Sequence, residues 1–157
     1  MVDEILPLYM KLIKLTQNKI AKISDQDSGR VNEHKWHFNK QGVAYRKNGK
    51  SIYMHRFIMQ PPKFMEVDHK NGDILDNTRE NLRICTHADN LRNRRINKKT
   101  MSGFKGVKLN GSKWQARITF NGKEIHLGQF ETKEQAAESY NEAAKVYFGE
   151  FARLNEL

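Results

Sequence analysis

A chain of 157 residues and 18.4 kDa, 38% hydrophobic and 29% charged, has room for one medium domain or two small ones and excludes a single large enzyme core. Its 28 Lys and Arg against 18 Asp and Glu leave a formal net charge of +10 and a sequence pI near 9.7, favouring a polyanionic partner, nucleic acid first, over acidic-tail or disordered-acidic readings. Pro7 breaks the longest apolar stretch, Ile5–Met10, well short of a membrane span, and a single cysteine, Cys85, excludes an internal disulfide and any Cys-pair zinc site.

In chain order, residues 8–58 read as a loose β region. Tyr9–Thr16 and Lys19–Ser24 flank a Gln17–Asn18 turn, and Gly42–Lys47 and Ser51–His55 flank Asn48–Gly49. Ile5, Leu8, Leu12 and Leu15 fit a helical stripe equally well. Pro61–Pro62 ends the region. Thr86-His-Ala-Asp89 is a capping-box-like start to a helix running through Arg95, which places Asn90 in its first turns. Residues 97–103 have no hydrophobic periodicity and read as a linker, so a module boundary is expected there. Beyond it, Gly106–Leu109, Lys113–Phe120 and Lys123–Leu127 are three short strands joined at Asn110–Gly111 and Asn121–Gly122. A helix follows, capped by Thr132 with Gln135 in the capping-box position and stopped by Gly149.

Charge is uneven along this frame. Residues 1–100 carry 20 basic and 11 acidic side chains, whereas residues 101–157 carry 8 and 7. The densest run, Leu91–Lys99, holds Arg92, Arg94, Arg95, Lys98 and Lys99 with no acid, a pattern suited to phosphate contact. Arg83 joins these arginines as a phosphate-contact candidate, because arginine cannot act as a base at neutral pH. In the C-terminal strands Trp114, Ala116, Ile118 and Phe120 alternate with Gln115, Arg117 and Thr119, so the helix covers one face and the other displays polar, partly basic side chains. A narrow antiparallel sheet with such a face can enter a DNA major groove.

Phe104-Lys-Gly-Val107, Trp114-Gln-Ala-Arg-Ile118, His126-Leu-Gly-Gln-Phe130, Ala136–Ala137, Tyr140, Ala143–Ala144 and Leu154–Asn155 resemble the plant ethylene-response-factor (APETALA-type) DNA-binding domain over about residues 102–156. The resemblance implies a three-stranded sheet on one helix, with DNA contacts at Lys105, Lys108, Arg117, Thr119, Glu124 and His126. Lys105 and Lys108 stand where the plant pattern has arginines. Lysine lacks the rigid fork that reads guanine, so a weaker or different sequence preference is expected.

A second set of residues carries chemistry. Met65-Glu-Val-Asp-His-Lys-Asn-Gly-Asp73 is followed by Asp76–Asn77, Asn81-Leu-Arg-Ile84 and Asn90, so that a strand, a loop, a second strand and a helix can converge on one point. Together with His55-Arg-Phe-Ile-Met59 and Pro61–Pro62, these resemble phage and mobile-element HNH endonucleases over about residues 9–96. The resemblance implies a ββα-metal nuclease fold in which Asp68 and Asn90 hold one divalent cation, His69 is the general base and Asn81 braces the loop that presents it. An imidazole near its useful pKa can activate water, and carboxylate and amide oxygens suit Mg²⁺ or Mn²⁺. Asn90 in place of a final histidine resembles the strand-nicking homing subgroup. His55 is expected in a scaffold role, and His34 and His37 are assigned none.

The reading is an α+β, two-module, metal-dependent endonuclease of duplex DNA: residues 1–96 form the nuclease (1–60 a β-rich extension, 61–96 the ββα-metal core), 97–102 a linker, and 103–157 the DNA-binding domain. Nicking by a monomer or weak dimer in the host cytoplasm is expected, with no membrane association and no small-molecule cofactor. The rival is a DNA-binding regulator with an inactive nuclease module, against which the intact Asp68, His69, Asn81 and Asn90 argue. An RNA target is disfavoured because A-form RNA hides the groove that such a sheet enters.

Overall fold

Apolar alternation makes Met10–Lys14 (β1) and Ile20–Ser24 (β2) antiparallel partners in the computed structural model, which describes residues 9–94 and 100–157. Ile13, Ala21 and Ile23 face inward from this hairpin, and Gln17 and Asn18 adopt the positive φ of the connecting turn. In chain order follow α1 (Ser28–Asn32), β3 (His37–Phe38), β4 (Ala44–Asn48), β5 (Lys50–Tyr53), α2 (Met54–Met59), β6 (Glu66–His69), β7 (Asp76–Asn77) and β8 (Leu82–Cys85). Then come α3 (His87–Arg92), β9 (Val107–Asn110), β10 (Lys113–Phe120), β11 (Lys123–Phe130) and α4 (Lys133–Phe148). The chain is a mixed α+β fold of small sheets and few helices, divided into two compact units, Met1–Asn90 and Leu91–Leu157. Among the described residues no helix is long and apolar enough to cross a membrane.

In the first unit β1-β2-β7 and β3-β4-β5 form three-stranded sheets, and β6-β8 a two-stranded one. Strand β7 runs parallel to β2, with Lys22 opposite Asp76 and Ile23 opposite Asn77, so the N-terminal hairpin grips the loop between β6 and β8. Ile13, Ile23, Val31, Trp36, Met54, Ile58, Val67 and Leu82 share one core that runs from the first strand to β8. Each such side chain contributes about 1.5–3 kcal/mol on burial, so the N-terminal strands and the β6–β8 hairpin are stabilised together. Asp27, only 1% exposed, accepts from Arg30 Nη2 at 2.7 Å and from Arg79 Nε and Nη2 at 2.8 and 2.9 Å, stapling residues 52 apart.

The strand expected at Ser51–His55 stops at Tyr53, and His55 lies in α2. Met54 and Ile58, four residues apart and 0% and 2% exposed, make one helical face against the core, and that packing overrides the alternating pattern. Gln60 closes the helix in the left-handed region (φ 47°) ahead of Pro61. The helix expected to run through Arg95 is α3, which ends at Arg92; Arg95 itself lies outside the described residues. Thr86 and Asp89 do cap its start, with Asp89 N–H donating to Thr86 Oγ1 at 3.2 Å and Thr86 Oγ1 donating to Asp89 Oδ2 at 2.7 Å.

In the second unit the sheet order is β11-β10-β9, antiparallel throughout. Thr132 and Gln135 cap α4 reciprocally at 3.2 and 3.3 Å, forming the box expected there. Ala116, Ala136, Ala137 and Ala144, all 0% exposed, let the helix close on the sheet beside Trp114, Ile118, Ile125 and Leu127. Gly106 permits that approach, since at φ +74° a Cβ would fall 2.1 Å from a Tyr140 ring carbon. Asn155 brackets the Lys105 backbone at 2.7 and 3.1 Å, tying the C-terminal segment to the start of the sheet.

Candidate active site

The β6–β8 register sets Glu66 opposite Cys85, Asp68 opposite Arg83, and His69 opposite Leu82. Because side chains alternate along a strand, Glu66 and Asp68 share one face of the hairpin. Asp68 is 6% exposed and its Oδ2 accepts from Arg83 Nε and Nη2 at 2.9 and 2.7 Å. Glu66 reaches α3, accepting from His87 Nδ1 at 2.7 Å and from Asn90 Nδ2 at 2.5 Å. Asn90 is thereby tied back to the strand that carries Asp68. With Nδ2 committed to Glu66, Oδ1 is the end of its amide that can meet a cation.

His69 ends β6 and is 7% exposed. Its Nε2 lies 3.4 Å from Asn77 Oδ1, and its ring meets that of His55 edge-on with centroids 5.2 Å apart. Asn77, 0% exposed, donates from Nδ2 to the Leu75 carbonyl at 3.2 Å, an arrangement that turns Oδ1 toward the imidazole. Burial lowers the His69 pKa against the opposing pull of Asn77 and of the carboxylates Asp68, Asp73 and Asp76, so the ring is neutral at neutral pH. Burial first, then His69 and Arg56, push His55 down to about 4, and its Nδ1 has no hydrogen-bond partner among the described residues. Burial likewise raises Cys85 to about 11, which leaves an inert thiol.

Asn81 sits between the loop and β8. Its Oδ1 accepts from the Asn71 N–H at 3.0 Å, its Nδ2 donates to the Asp76 carbonyl at 2.7 Å, and its own carbonyl accepts from the Lys70 N–H at 2.9 Å. Three bonds from one residue close the loop that follows His69. Among the described residues no three His, Cys, Asp or Glu side chains gather as a cation cage. The oxygen donors of Asp68 and Asn90 nonetheless fit a hard divalent cation, because Mg²⁺ is commonly held by one or two carboxylates with substrate phosphate and water completing its shell.

The expected DNA-contact residues divide. Lys108, Thr119, Glu124 and His126 are exposed on one sheet face, where Arg117 lies opposite His126 and its Nη1 donates to Glu124 Oε2 at 2.7 Å. Arg94 is exposed, and Arg95, Lys98 and Lys99 lie outside the described residues. Two expectations are corrected. Arg83, 9% exposed, is buried against Asp68, because its cross-strand partner is a carboxylate that needs neutralising. Lys105 turns inward, its Nζ donating to the carbonyls of Arg92 and of Arg94 (3.2 Å to the latter), and burial followed by Arg153 pushes it down to about 8. Arg92 is half-buried, its guanidinium 5.4 and 5.2 Å from the ring centroids of Phe120 and Phe148. Glu66 and Asn77 belong to the motif quoted from sequence but were given no role there. The two-residue spacing of Glu66 from Asp68 on one strand was the available signal for the first.

The family model for HNH endonucleases matches residues 43–92. An uncharacterized HNH endonuclease of Acanthamoeba polyphaga mimivirus is 32% identical over 157 residues, covering 96% of this chain and 82% of that protein. Protein 3.8 of Escherichia phage T7 is 29% identical over 95 residues, 59% of this chain and 78% of its own length. An ethylene-responsive transcription factor-like protein of Arabidopsis thaliana is 40% identical over 53 residues, 34% of this chain and 24% of that protein. No solved structure matches. The chain belongs to the HNH endonuclease family. It is an endonuclease, and the family implies DNA as its substrate.

Proposed function

We propose that this endonuclease is a metal-dependent, site-preferring nicking enzyme of the homing type, with a ββα-metal core in residues 61–96 and an ethylene-response-factor-like domain in residues 103–157 that positions it on duplex DNA. The observation that carries the reading is a buried, neutral imidazole at the end of β6 with one oxygen ligand beside it in the strand and a second, Asn90, tied to that strand through Glu66. His69 is the general base. Asn77 Oδ1, facing Nε2, orients the ring. The neutral imidazole takes the proton of a water whose oxygen bonds to phosphorus as the phosphorus–oxygen bond to the departing strand end breaks. Asp68 and Asn90 would hold one Mg²⁺ or Mn²⁺, and such an ion, when bound, stabilises charge on the phosphate and leaving oxygens. Arg83 orients the Asp68 carboxylate, and Asn81 holds the loop behind His69.

Lys108, Arg117, Thr119, Glu124 and His126 form the major-groove face, and the short similarity to a plant transcription factor-like protein supports this. Arg94, with Arg95, Lys98 and Lys99, follows the phosphate backbone. The test is supercoiled plasmid carrying a recognised site, incubated with Mg²⁺ or with EDTA. Open circle preceding linear product, lost in EDTA and in His69→Ala, supports the reading. Concerted linearisation by the monomer breaks the nicking assignment, and cutting in EDTA breaks the metal assignment.

A further inference from the structure

The turn that feeds β6 carries an apolar side chain that folding does not use. Phe64 is 87% exposed, the most exposed large apolar residue among those described, and its backbone sits in the left-handed region at φ 70°. Glycine takes that conformation freely, whereas a bulky L side chain takes it only at a cost. Exposure removes any return from burial. The turn itself is firmly held: Pro61 and Pro62 stiffen it, Met65 N–H donates to the Pro62 carbonyl at 3.1 Å, and Arg56 Nη1 donates to the Met65 carbonyl at 3.0 Å. Lys63 Nζ lies 5.1 Å from the Phe64 ring centroid, so a cation and an aromatic ring project together.

A strained ring held out on a rigid turn points to a ligand outside the chain. The partner is narrowed by charge, since Lys63 adjoins the ring on a protein of net +10, and by position, since Phe64 precedes Asp68 by four residues, at most about 14 Å of chain. That reach corresponds to about four nucleotides of one strand. We infer that Phe64 stacks on a base step of bound duplex DNA close to the cut, with Lys63 on the adjoining phosphate. This assignment rests on the proposed DNA-nicking function and adds a base contact to the nuclease unit. An aromatic ring stacks on any base, so the contact anchors and orients without reading sequence.

The full-length protein in EDTA, which prevents cutting, is titrated with a fluorescein-labelled mixed-sequence duplex over a salt series, comparing wild type, Phe64→Gly, Phe64→Trp and Lys63→Ala. Phe64→Gly suits the turn and keeps or raises the melting temperature. Its affinity falls about threefold to thirtyfold, base–aromatic stacking less the unstacking that a side-chain wedge imposes on a duplex step, with the slope of log affinity against log salt unchanged. Phe64→Trp retains binding, whereas Lys63→Ala flattens the slope by about one. Phe64→Gly binding like wild type, or Phe64→Trp binding no better than Phe64→Gly, overturns the assignment and leaves the nuclease reading intact. A wild type that neither binds the duplex nor nicks plasmid in Mg²⁺ overturns the functional reading and this assignment with it.

Discussion

The two units use charge in opposite ways. In Met1–Asn90 the decisive ionisable groups are buried and hydrogen-bonded, Asp27 against Arg30 and Arg79, Asp68 against Arg83, and His69 against Asn77. In Leu91–Leu157 alanines and aromatics fill the space between sheet and helix, and Arg117 and Glu124 pair on the outside with side chains 40% and 56% exposed. A buried ion feels its neighbours through a low dielectric and is held to one geometry, whereas an exposed pair is screened and contributes about 0–1 kcal/mol. The first arrangement can aim a reacting atom. The second offers a surface to a charged partner.

That contrast is open to direct attack. The largest effect is expected at Asn90, where Asn90→Asp replaces the amide nitrogen facing Glu66 with a carboxylate oxygen and, on the proposed function, lowers plasmid cleavage in Mg²⁺ about a hundredfold. Adding Glu66→Gln supplies a donor and recovers most of the loss, and a double variant no better than the single one breaks the pairing. Next, Asp27→Asn leaves two guanidiniums short of their partner and lowers stability by about 2–3 kcal/mol in urea unfolding at neutral pH. Burial alone would raise the Asp27 pKa, but Arg79 and Arg30 overcome it and hold the carboxyl below its usual value. Its stabilisation is therefore full above about pH 4 and fades as pH falls through the lowered native value, so wild type and variant converge in acid. Equal urea midpoints at neutral pH would mean the staple contributes nothing.

Asn77→Ala removes the acceptor facing His69 and lowers plasmid cleavage about tenfold, whereas Asn77→Asp keeps an acceptor there and retains more of the rate. The smallest effects belong to the exposed sheet. Thr119→Ala and His126→Ala leave the unfolding free energy in urea within about 0.5 kcal/mol of wild type while each weakens duplex binding. A clear stability loss at either position would show that the face is not simply solvated.

The second unit was the more legible because its signals are local. Asn110–Gly111, Asn121–Gly122 and the Thr132/Gln135 box each act over a few residues, and the strands and α4 form where those signals place them. In the first unit α2 was hidden because its helical character rests on Met54 and Ile58 meeting a core assembled from Ile13 through Leu82. Lys105 misled for a related reason. It lies in a basic stretch, yet its direction is set by the carbonyls of Arg92 and Arg94 and by the Asn155 bracket, 50 residues further on.

By itself the sequence determined the residue types and their local settings: Asp68 and His69 closing a strand, Asn81 opening the next, Asn90 on a capped helix, and an alternating sheet under a capped helix. Turn, capping and alternation preferences operate over about two to four residues, so they survive without knowledge of the fold. The tertiary structure decided which charges are consumed inside. Asp27 meets Arg79 across 52 residues, Asp68 meets Arg83 across 15, and Asn90 is turned by Glu66 across 24. Desolvation depends on what packs over a group, and here the covering residues come from distant parts of the chain.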